Sequence, residues 1–240
     1  MVLSAALFAA GALSSMAQSA VYSQNVVGYV TVTLYGSDVE SSELSMISNP
    51  LDFDGTGVNN VLDTVLGTSL PSGTTVFPWT ATGFGTPVSY NGGKGGWSDA
   101  GTAFLNPGAG VFVQLPPGAT TTTVTMVGNV LQGTLPNNYI TGTASLIASI
   151  IPTSAHLDDP SNGGLNYVPT TGDTVFTWDN TANSGSGGYD GFVFNGGKGG
   201  WATIAPNPAV DPDPVIGPGQ SFFLISGGET PTWTETFTVQ

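Results

Sequence analysis

The chain alternates apolar and polar residues over short stretches, and Gly, Pro or Asn separates each stretch from the next. Residues 26–34 and 121–130 show the period of two that is typical of half-buried strands. Shorter stretches of the same kind predict strands over residues 44–48, 74–79, 87–90 and 110–114. Strands at short spacing with turn signals between them predict an all-β protein whose antiparallel sheets form a sandwich or a barrel-like fold.

One stretch in the first half has helical spacing instead. Val58, Val61, Leu62, Val65 and Leu66 recur three or four residues apart, and a glycine follows them at position 67. Glycine commonly ends a helix because it adopts the left-handed conformation without a steric penalty. The pattern therefore predicts a short helix of roughly two to three turns.

The chain contains an internal repeat. Residues 91–97 read Asn-Gly-Gly-Lys-Gly-Gly-Trp, and residues 195–201 repeat this segment unchanged. The flanking strands match as well, for example Thr-Val-Phe-x-Trp at 75–79 and 174–178. We interpret the match as an internal duplication. It predicts two similar β units, a first repeat over residues 21–126 and a second over 127–240, with the boundary inside one strand.

The N-terminal residues resemble an export signal. Residues 2–13 form an apolar run, and the small residues Ser15 and Ala17 fit a signal-peptidase site. We therefore expect residues 1–20 to be a signal peptide and the mature chain to begin near Gln18 or Val21. The run is too short to span a bilayer, and no later segment is long and apolar enough. The sequence predicts a secreted or cell-surface protein without a transmembrane segment.

Charge and cysteine content exclude several functions. The 240 residues include 16 acidic residues and two lysines, with a net charge of −14 and no cysteine. A polyanion is repelled by phosphate backbones and anionic lipids, so nucleic acid and anionic membranes are excluded as partners. The absence of cysteine removes disulfides, thiolate metal sites and cysteine nucleophiles. Cations and uncharged sugars remain possible ligands.

Four segments carry a resemblance to a known group of proteins. They are Met-Ile-Ser-Asn-Pro at 46–50, Gly-Thr-Thr-Val-Phe-Pro-Trp at 73–79, Gly-Gly-Trp at 95–97 and Pro-Gly-Ala-Gly-Val-Phe-Val at 107–113. Together they resemble secreted, internally duplicated β-rich proteins that are numerous in verrucomicrobial genomes. The resemblance covers nearly the whole mature chain. It implies export and a β fold, and it implies no particular activity.

The repeated glycine segment carries both lysines, Lys94 and Lys198. A phosphate-binding loop requires Ser or Thr after the lysine and then a helix, whereas Gly-Gly-Trp follows here. Asn-Gly and Gly-Gly supply the positive φ angles of hairpin turns, so we expect hairpin connections. The two lysines are also candidates for ion pairs with a carboxylate of this chain or of a neighbouring subunit.

The tryptophans recur in pairs, and they allow two interpretations. Trp79 and Trp97 in the first half match Trp178 and Trp201 in the second. Recurrence at equivalent positions indicates residues of the core or the ends of the sheets. The alternative is a carbohydrate-binding surface, in which exposed indole rings stack on sugar rings.

An acidic loop offers a candidate calcium site, and no other cofactor is predicted. Asp52, Asp54, Asn60 and Asp63 lie at spacings close to those of an EF-hand loop, with Gly57 at the central turn position. However, no helix precedes Asp52, and Asp replaces Glu at the last position. The alternative is a polar turn that precedes the short helix.

The single histidine, His156, has Ser154 and Asp158 beside it, but catalytic groups normally converge from distant parts of a chain. We therefore predict an exported, non-catalytic structural or adhesive surface protein. The first alternative is a carbohydrate-binding module that uses the repeated tryptophans, and the second is a glycoside-active enzyme. Candidate partners are extracellular glycans and further copies of the chain, joined head-to-tail by strand addition between its terminal strands. The alternative, which we favour for the isolated chain, is that both terminal strands lie near each other within the sheets of one molecule.

Overall fold

The computed structural model describes residues 26–38, 43–99, 103–140, 144–185, 187–204, 212–228 and 231–239. The predicted signal peptide lies outside the described residues. Within them, antiparallel strands dominate and the helices are single turns, so the prediction of an all-β fold is confirmed.

The elements of the described residues are, in chain order, β1 (Val27–Leu34), β2 (Leu44–Ser48), α1 (Leu62–Val65), β3 (Thr75–Thr80), β4 (Gly83–Phe84), β5 (Val88–Asn91), β6 (Gly96–Trp97), β7 (Gly110–Gln114), β8 (Thr122–Asn129), β9 (Gly133–Pro136), β10 (Ala144–Ala148), β11 (Ala155–His156), β12 (Thr174–Asp179), α2 (Ala182–Gly185), β13 (Gly188–Asn195), β14 (Gly200–Ile204), β15 (Val215–Ile216), β16 (Ser221–Ile225) and β17 (Thr234–Phe237).

Two large sheets have the same strand order. The first runs β2-β7-β3-β5-β6, with β4 also paired to β3, and the second runs β10-β16-β12-β13-β14. Every neighbouring pair is antiparallel. Corresponding strands carry the matching sequence segments, as a duplication predicts. The common topology is an observation, and the duplication stays a prediction.

Of the three two-stranded sheets in the described residues, β11–β15 is the shortest and the other two flank the large sheets. β1 pairs with β8 over eight residues, and β9 pairs with β17 over four. Alternate residues of β1 and β8, among them Val30, Val32 and Met126, are buried in a core shared with α1 and the first large sheet. A second core joins the second large sheet to the loop residues Leu157, Leu165 and Tyr167 and to Trp233, next to β17.

A third apolar cluster lies between the large sheets. Met46, Phe112 and Leu146 are its buried members, and they come from β2, β7 and β10. Because side chains alternate along a strand, one face of each large sheet serves its own core and the opposite face serves this shared cluster. The molecule is therefore layered, with the aromatic-rich layer in the middle.

The two large sheets are joined by reciprocal backbone contacts. The Ser48 N–H donates to the Gly219 carbonyl at 2.9 Å, and the Ala148 N–H donates to the Gly108 carbonyl at 3.0 Å. Each bond runs from the last residue of β2 or β10 to the turn before β16 or β7 of the other sheet. β2, β7, β10 and β16 thus form a closed ring, which fixes how the large sheets face each other.

The helix of the first half is shorter than predicted. α1 comprises Leu62–Val65, and Val58 lies outside it with 65% of its surface exposed. Gly55 and Gly57 have φ angles of 80° and 76°, and Val61 is extended, so the backbone before Leu62 cannot be helical. A polar loop therefore replaces the first predicted turn.

The predicted boundary between the repeats falls inside β8, which continues through residues 126 and 127. Val127 lies directly opposite Tyr29 in the β1–β8 ladder, in which residues 27–30 pair with residues 126–129. By topology, the counterpart of β1 is β9, which begins at Gly133. The division into repeats at residue 126 stays a prediction.

Candidate binding groove between the sheets

The central layer is an aromatic cluster built by the alternation of β3 and β12. Val76 and Val175 point into the outer cores, whereas the residues beside them on the strands face the other large sheet. Cross-strand neighbours complete the layer. We call the following residues the aromatic cluster: Phe77, Trp79, Phe84, Phe112, Phe176, Trp178, Tyr189 and Phe223.

The ring contacts of the cluster come in matched pairs. Those within one sheet are Trp79–Phe84 at 5.0 Å and Trp178–Tyr189 at 4.9 Å, and those between the sheets are Trp79–Phe223 at 4.8 Å and Phe112–Trp178 at 5.6 Å. All four pairs are T-shaped, the geometry that places a positive ring edge on a negative ring face. The cluster therefore holds the two sheets together by specific ring geometry as well as by apolar burial.

Both tryptophans of the cluster are anchored by their indole N–H groups. Trp79 Nε1 donates to the Ala144 carbonyl at 3.2 Å, and Trp178 Nε1 donates to the Leu44 carbonyl at 3.0 Å. Each acceptor is the first residue of a strand in the opposite sheet. The Asn180 side-chain amide also donates to the Leu44 carbonyl. These bonds fix the ring orientations before any ligand binds.

A groove opens on one side of the cluster. It has a volume of about 540 Å³, and its lining comprises Leu44, Phe77, Phe84, Gly85, Pro87, Phe112, Gln114, Trp178 and Tyr189. Phe84 and Tyr189 stand at its mouth with 55% and 49% of their surface exposed. Exposed aromatic surface of this kind typically marks a binding site.

A break in the first sheet gives the groove its wall. Two residues separate Val76 from Trp79 on β3, but three separate their partners Phe84 and Val88. The extra residue is a bulge that ends β4, with Gly85 and Pro87 in the interruption. In the second sheet, β12 and β13 pair residue for residue without interruption.

The described lining of the groove is mainly apolar. Apart from the anchored Trp178 indole, the polar side-chain groups among these described residues are the Gln114 amide and the Tyr189 hydroxyl. Burial raises the pKa of Tyr189, so the phenol remains a neutral hydrogen-bond donor at physiological pH. The lining can thus bind an apolar or aromatic group and offer it two polar contacts.

The other two tryptophans of the repeat lie away from the groove. Trp97 is 4% exposed in the first core, where its indole N–H donates to the Gly67 carbonyl at 3.3 Å. Trp201 packs against Phe194 at 5.3 Å beside the second core, and its indole nitrogen is buried. Of the four tryptophans that were candidates for carbohydrate binding under the alternative interpretation, the structure therefore brings Trp79 and Trp178 together, and Trp178 lines the groove.

The lysines occupy matching turns. Each glycine segment forms a single 3₁₀ turn inside a hairpin, β5–β6 or β13–β14, which confirms the predicted connection. Lys94 and Lys198 are the last residues of these turns, and both are exposed. Gly95 and Gly199, which follow them, have φ angles of 96° and 95°. Neither lysine forms an ion pair with the residues that the structure describes.

The carboxylate groups of the acidic loop accept hydrogen bonds from N–H groups and side chains of the same loop. Asp52, which is 2% exposed, accepts bonds from the Gly57 N–H at 2.9 Å and the Asn60 amide at 3.2 Å. Asp54 accepts the Thr56 N–H and hydroxyl and the Asn59 amide. These bonds hold the pKa of Asp54 below its ordinary value.

The predicted calcium ligands thus have protein donors on most of their oxygens. Asn60 accepts the Phe53 N–H at 2.8 Å, and Asp63 lies on α1 close to Gly96. No group of three acidic or histidine side chains suited to a metal ion occurs among the described residues. The geometry matches the alternative of a polar turn, and calcium binding stays a prediction.

His156 lies on the surface with an acidic partner from elsewhere in the chain. Its Nδ1 is 3.1 Å from an Asp213 carboxylate oxygen, and both side chains are more than two-fifths exposed. This pair joins the loops that carry β11 and β15. Neither His156 nor Asp213 lines the groove or belongs to the aromatic cluster.

One carboxyl group missed by the sequence analysis is fully buried. Glu235 on β17 contacts the Ser149 hydroxyl at 2.6 Å and accepts the Ile150 N–H at 2.9 Å. The Ser149 hydroxyl also lies 2.7 Å from the Ile151 carbonyl and accepts the Ile151 N–H. The Ser149 hydroxyl has one proton and cannot donate both to the Ile151 carbonyl and to Glu235. Both contacts are hydrogen bonds if Ser149 donates to Ile151 and Glu235 is a neutral acid that donates to Ser149. Burial raises the pKa of Glu235 to about 7.

Comparison with known proteins leaves the fold and the groove as the basis for a functional argument. No family model, curated protein or solved structure is significantly similar to this chain. Among the helices of the described residues, none has the length and apolar character needed to cross a bilayer.

Proposed function

We propose that this chain is an exported, non-catalytic structural or adhesive protein that holds apolar or aromatic groups of its partner in the groove between the large sheets. The observation that carries the proposal is the pair of exposed rings, Phe84 and Tyr189, over a groove in which a bond to the Leu44 carbonyl anchors the Trp178 ring. A pre-organised apolar site binds without the entropic cost of ordering its side chains. The described residues that line the groove include no carboxylate, and glycoside hydrolysis normally requires two.

If the groove has an adhesive function, the substitution Phe84→Ser should lower the affinity of the groove for an aromatic ligand. We expect this substitution to weaken binding of the uncharged fluorophore N-phenylnaphthylamine about three- to tenfold, because one aromatic contact contributes about 1 kcal/mol. Fluorescence titration measures the affinity. Adsorption to phenyl-terminated and hydroxyl-terminated monolayers, measured with a quartz-crystal microbalance, extends the comparison to surfaces.

Phe53→Ser is the matched control. Phe53 is 42% exposed, lies in the acidic loop and is absent from the groove. The control should bind and adsorb like the unmodified protein. Equal losses in the two variants, or adsorption that ignores surface chemistry, would contradict the proposal.

A carbohydrate ligand is the second candidate, and the position of Trp178 favours it. This residue lines the groove on one side and, on the other, a polar cleft that also contains Asp179, Asn180 and Gln220. Sugars combine apolar ring faces with hydroxyls, so a ring and adjacent polar groups suit them. Quenching of tryptophan fluorescence by an uncharged glycan, abolished in Trp178→Ala and retained in Phe84→Ser, would place the sugar in the polar cleft.

Export is the third part of the proposal. The apolar leader and its small residues support cleavage near Gln18 or Val21. We expect N-terminal sequencing of protein collected outside the cytoplasm to begin near one of these residues. Recovery of an intact Met1 from the same fraction would show that the leader is retained.

A further inference from the structure

The outer edge of β1 has no partner among the residues that the structure describes. The Val130 N–H donates to the Val26 carbonyl, so every second pair from there on is hydrogen-bonded across β1 and β8. The backbone groups of Val27, Tyr29, Thr31 and Thr33 therefore point away from β8. Asn129 on β8 shows the same alternation of inward and outward backbone groups, because its N–H and carbonyl point away from β1 and bond to the backbone of Asp52.

The edge of β17, in contrast, is covered by its own molecule. By the same alternation, the carbonyls of Thr234, Thr236 and Thr238 point away from β9. They accept bonds from the Asn166 amide at 3.1 Å, the Gly163 N–H at 3.5 Å and the Asn162 amide at 3.3 Å. A head-to-tail contact through β17 would have to break these bonds, whereas a contact through β1 breaks none of the described bonds.

The β1 edge lacks the features that normally prevent strand pairing. Natural edge strands are protected by charges, prolines or bulges, and neither β1 nor β8 contains any of these. Tyr29 is 71% exposed and Val27 is 54% exposed on the outer face. Thr31 and Thr33 also border a cleft of about 360 Å³ whose opposite walls include residues 45–47 and 179–181 of the same chain.

We propose that the β1 edge is an interaction surface whose partner is the β1 edge of a second copy of this chain. Two copies carry a charge of −14 each, and an uncharged sheet is where they approach with least repulsion. Antiparallel pairing of β1 with β1 is self-complementary, so it closes into a two-fold dimer with a continuous four-stranded β8-β1-β1-β8 sheet. The outer faces around Tyr29 would then form one surface.

Two proline substitutions, which should destabilise the fold to a similar extent, test the proposed dimer. The backbone N–H groups of Thr31 and Thr125 lie on opposite outer edges of the β1–β8 sheet, each pointing away from the partner strand. The two side-chain hydroxyls bond to each other at 2.9 Å. Thr31→Pro and Thr125→Pro each lose this bond and an outward N–H, but only Thr31→Pro changes the β1 edge. Circular dichroism and thermal unfolding verify that both variants fold equally well.

Sedimentation velocity of the full chain over a range of concentrations gives the readout. We expect the unmodified protein and Thr125→Pro to form dimers with similar dissociation constants, and Thr31→Pro to weaken dimerisation at least tenfold. A monomeric unmodified protein, an equal effect of both variants, or a larger effect of Thr125→Pro would overturn the proposal. Open-ended oligomers that disappear when residues 234–240 are deleted would instead indicate head-to-tail addition.

Discussion

Replacing Glu235 by glutamine will make the stability of this protein nearly independent of pH between pH 5 and 8. Burial raises the pKa of Glu235 in the folded chain from 4.5 to about 7. A carboxyl group with a raised pKa binds its proton more tightly in the folded state. Its contribution is therefore complete below pH 4.5 and is lost as the pH rises through 7.

The size of the effect follows from the shift in pKa. A difference of this size corresponds to about 3 kcal/mol of unfolding free energy. For a chain of this length, that is roughly 6–12 °C in the melting temperature. The glutamine side chain in Glu235→Gln would keep both bonds, because its amide can donate to Ser149 and accept from Ile150 as the neutral acid does.

Thermal or denaturant unfolding across this pH range measures the effect, and Asp54→Asn is the control. Asp54 is exposed and its pKa is held below the ordinary value, so its ionisation does not change in this window. We expect the control to retain the pH dependence of the unmodified protein. If Glu235→Gln has the same slope as the control, Glu235 is ionised in the folded protein and the assignment is wrong.

Truncation of either central tryptophan should cost about 3–5 kcal/mol of unfolding free energy. Trp79→Ala and Trp178→Ala each remove a ring that contacts the opposite sheet and an N–H that bonds to its backbone. The Phe variants keep most of the apolar surface and lose the bond, so we expect them to cost about 1–2 kcal/mol.

Denaturant unfolding of the single and double variants tests whether the two tryptophans act on one interface. Trp79 contacts Phe223, Trp178 contacts Phe112, and these two phenylalanines are themselves 6.3 Å apart. Residues that share contacts show non-additive effects. Val58→Ala, at a site 65% exposed in the acidic loop, is the control and should change stability by less than about 0.5 kcal/mol. Strict additivity, or losses no larger than the control, would show that the cluster does not hold the sheets together.

The local pattern of the sequence predicts the strands but only part of the groove. The period of two on β3 places Phe77 and Trp79 on one face, and the repeat indicates the same for β12. That this face meets the other large sheet depends on the bonds from Ser48 to Gly219 and from Ala148 to Gly108. Such long-range closure leaves no signal in a short window of sequence.

Other parts of the site depend on differences between the two halves. Phe84 and Tyr189 occupy corresponding positions opposite a tryptophan, but they lie in segments of dissimilar sequence. The repeat therefore pointed to the tryptophans and missed these rings. Glu235 was missed because a carboxylate between threonines on an alternating strand looks exposed, whereas the turn at Ser149 covers it.

Spacing alone does not distinguish the two interpretations of the acidic loop, a calcium site or a polar turn. Asp52, Asp54 and Asn60 have the intervals of a metal-binding loop, but the same oxygens bond to N–H groups and side chains within the loop. Asp and Asn favour such local bonds in turns, and this produces similar spacings without a metal.

The five tryptophans of the chain provide reporters for binding in the groove. The most direct measurement is the nitrogen-15 spectrum of the indole N–H groups, assigned by Trp→Phe variants and followed during titration with N-phenylnaphthylamine. The indole signal of Trp178, which lines the groove, should shift most, while those of Trp97, Trp201 and Trp233 stay in place. Shifts at Trp97 or Trp201, or no saturable shift at Trp178, would contradict binding in the groove.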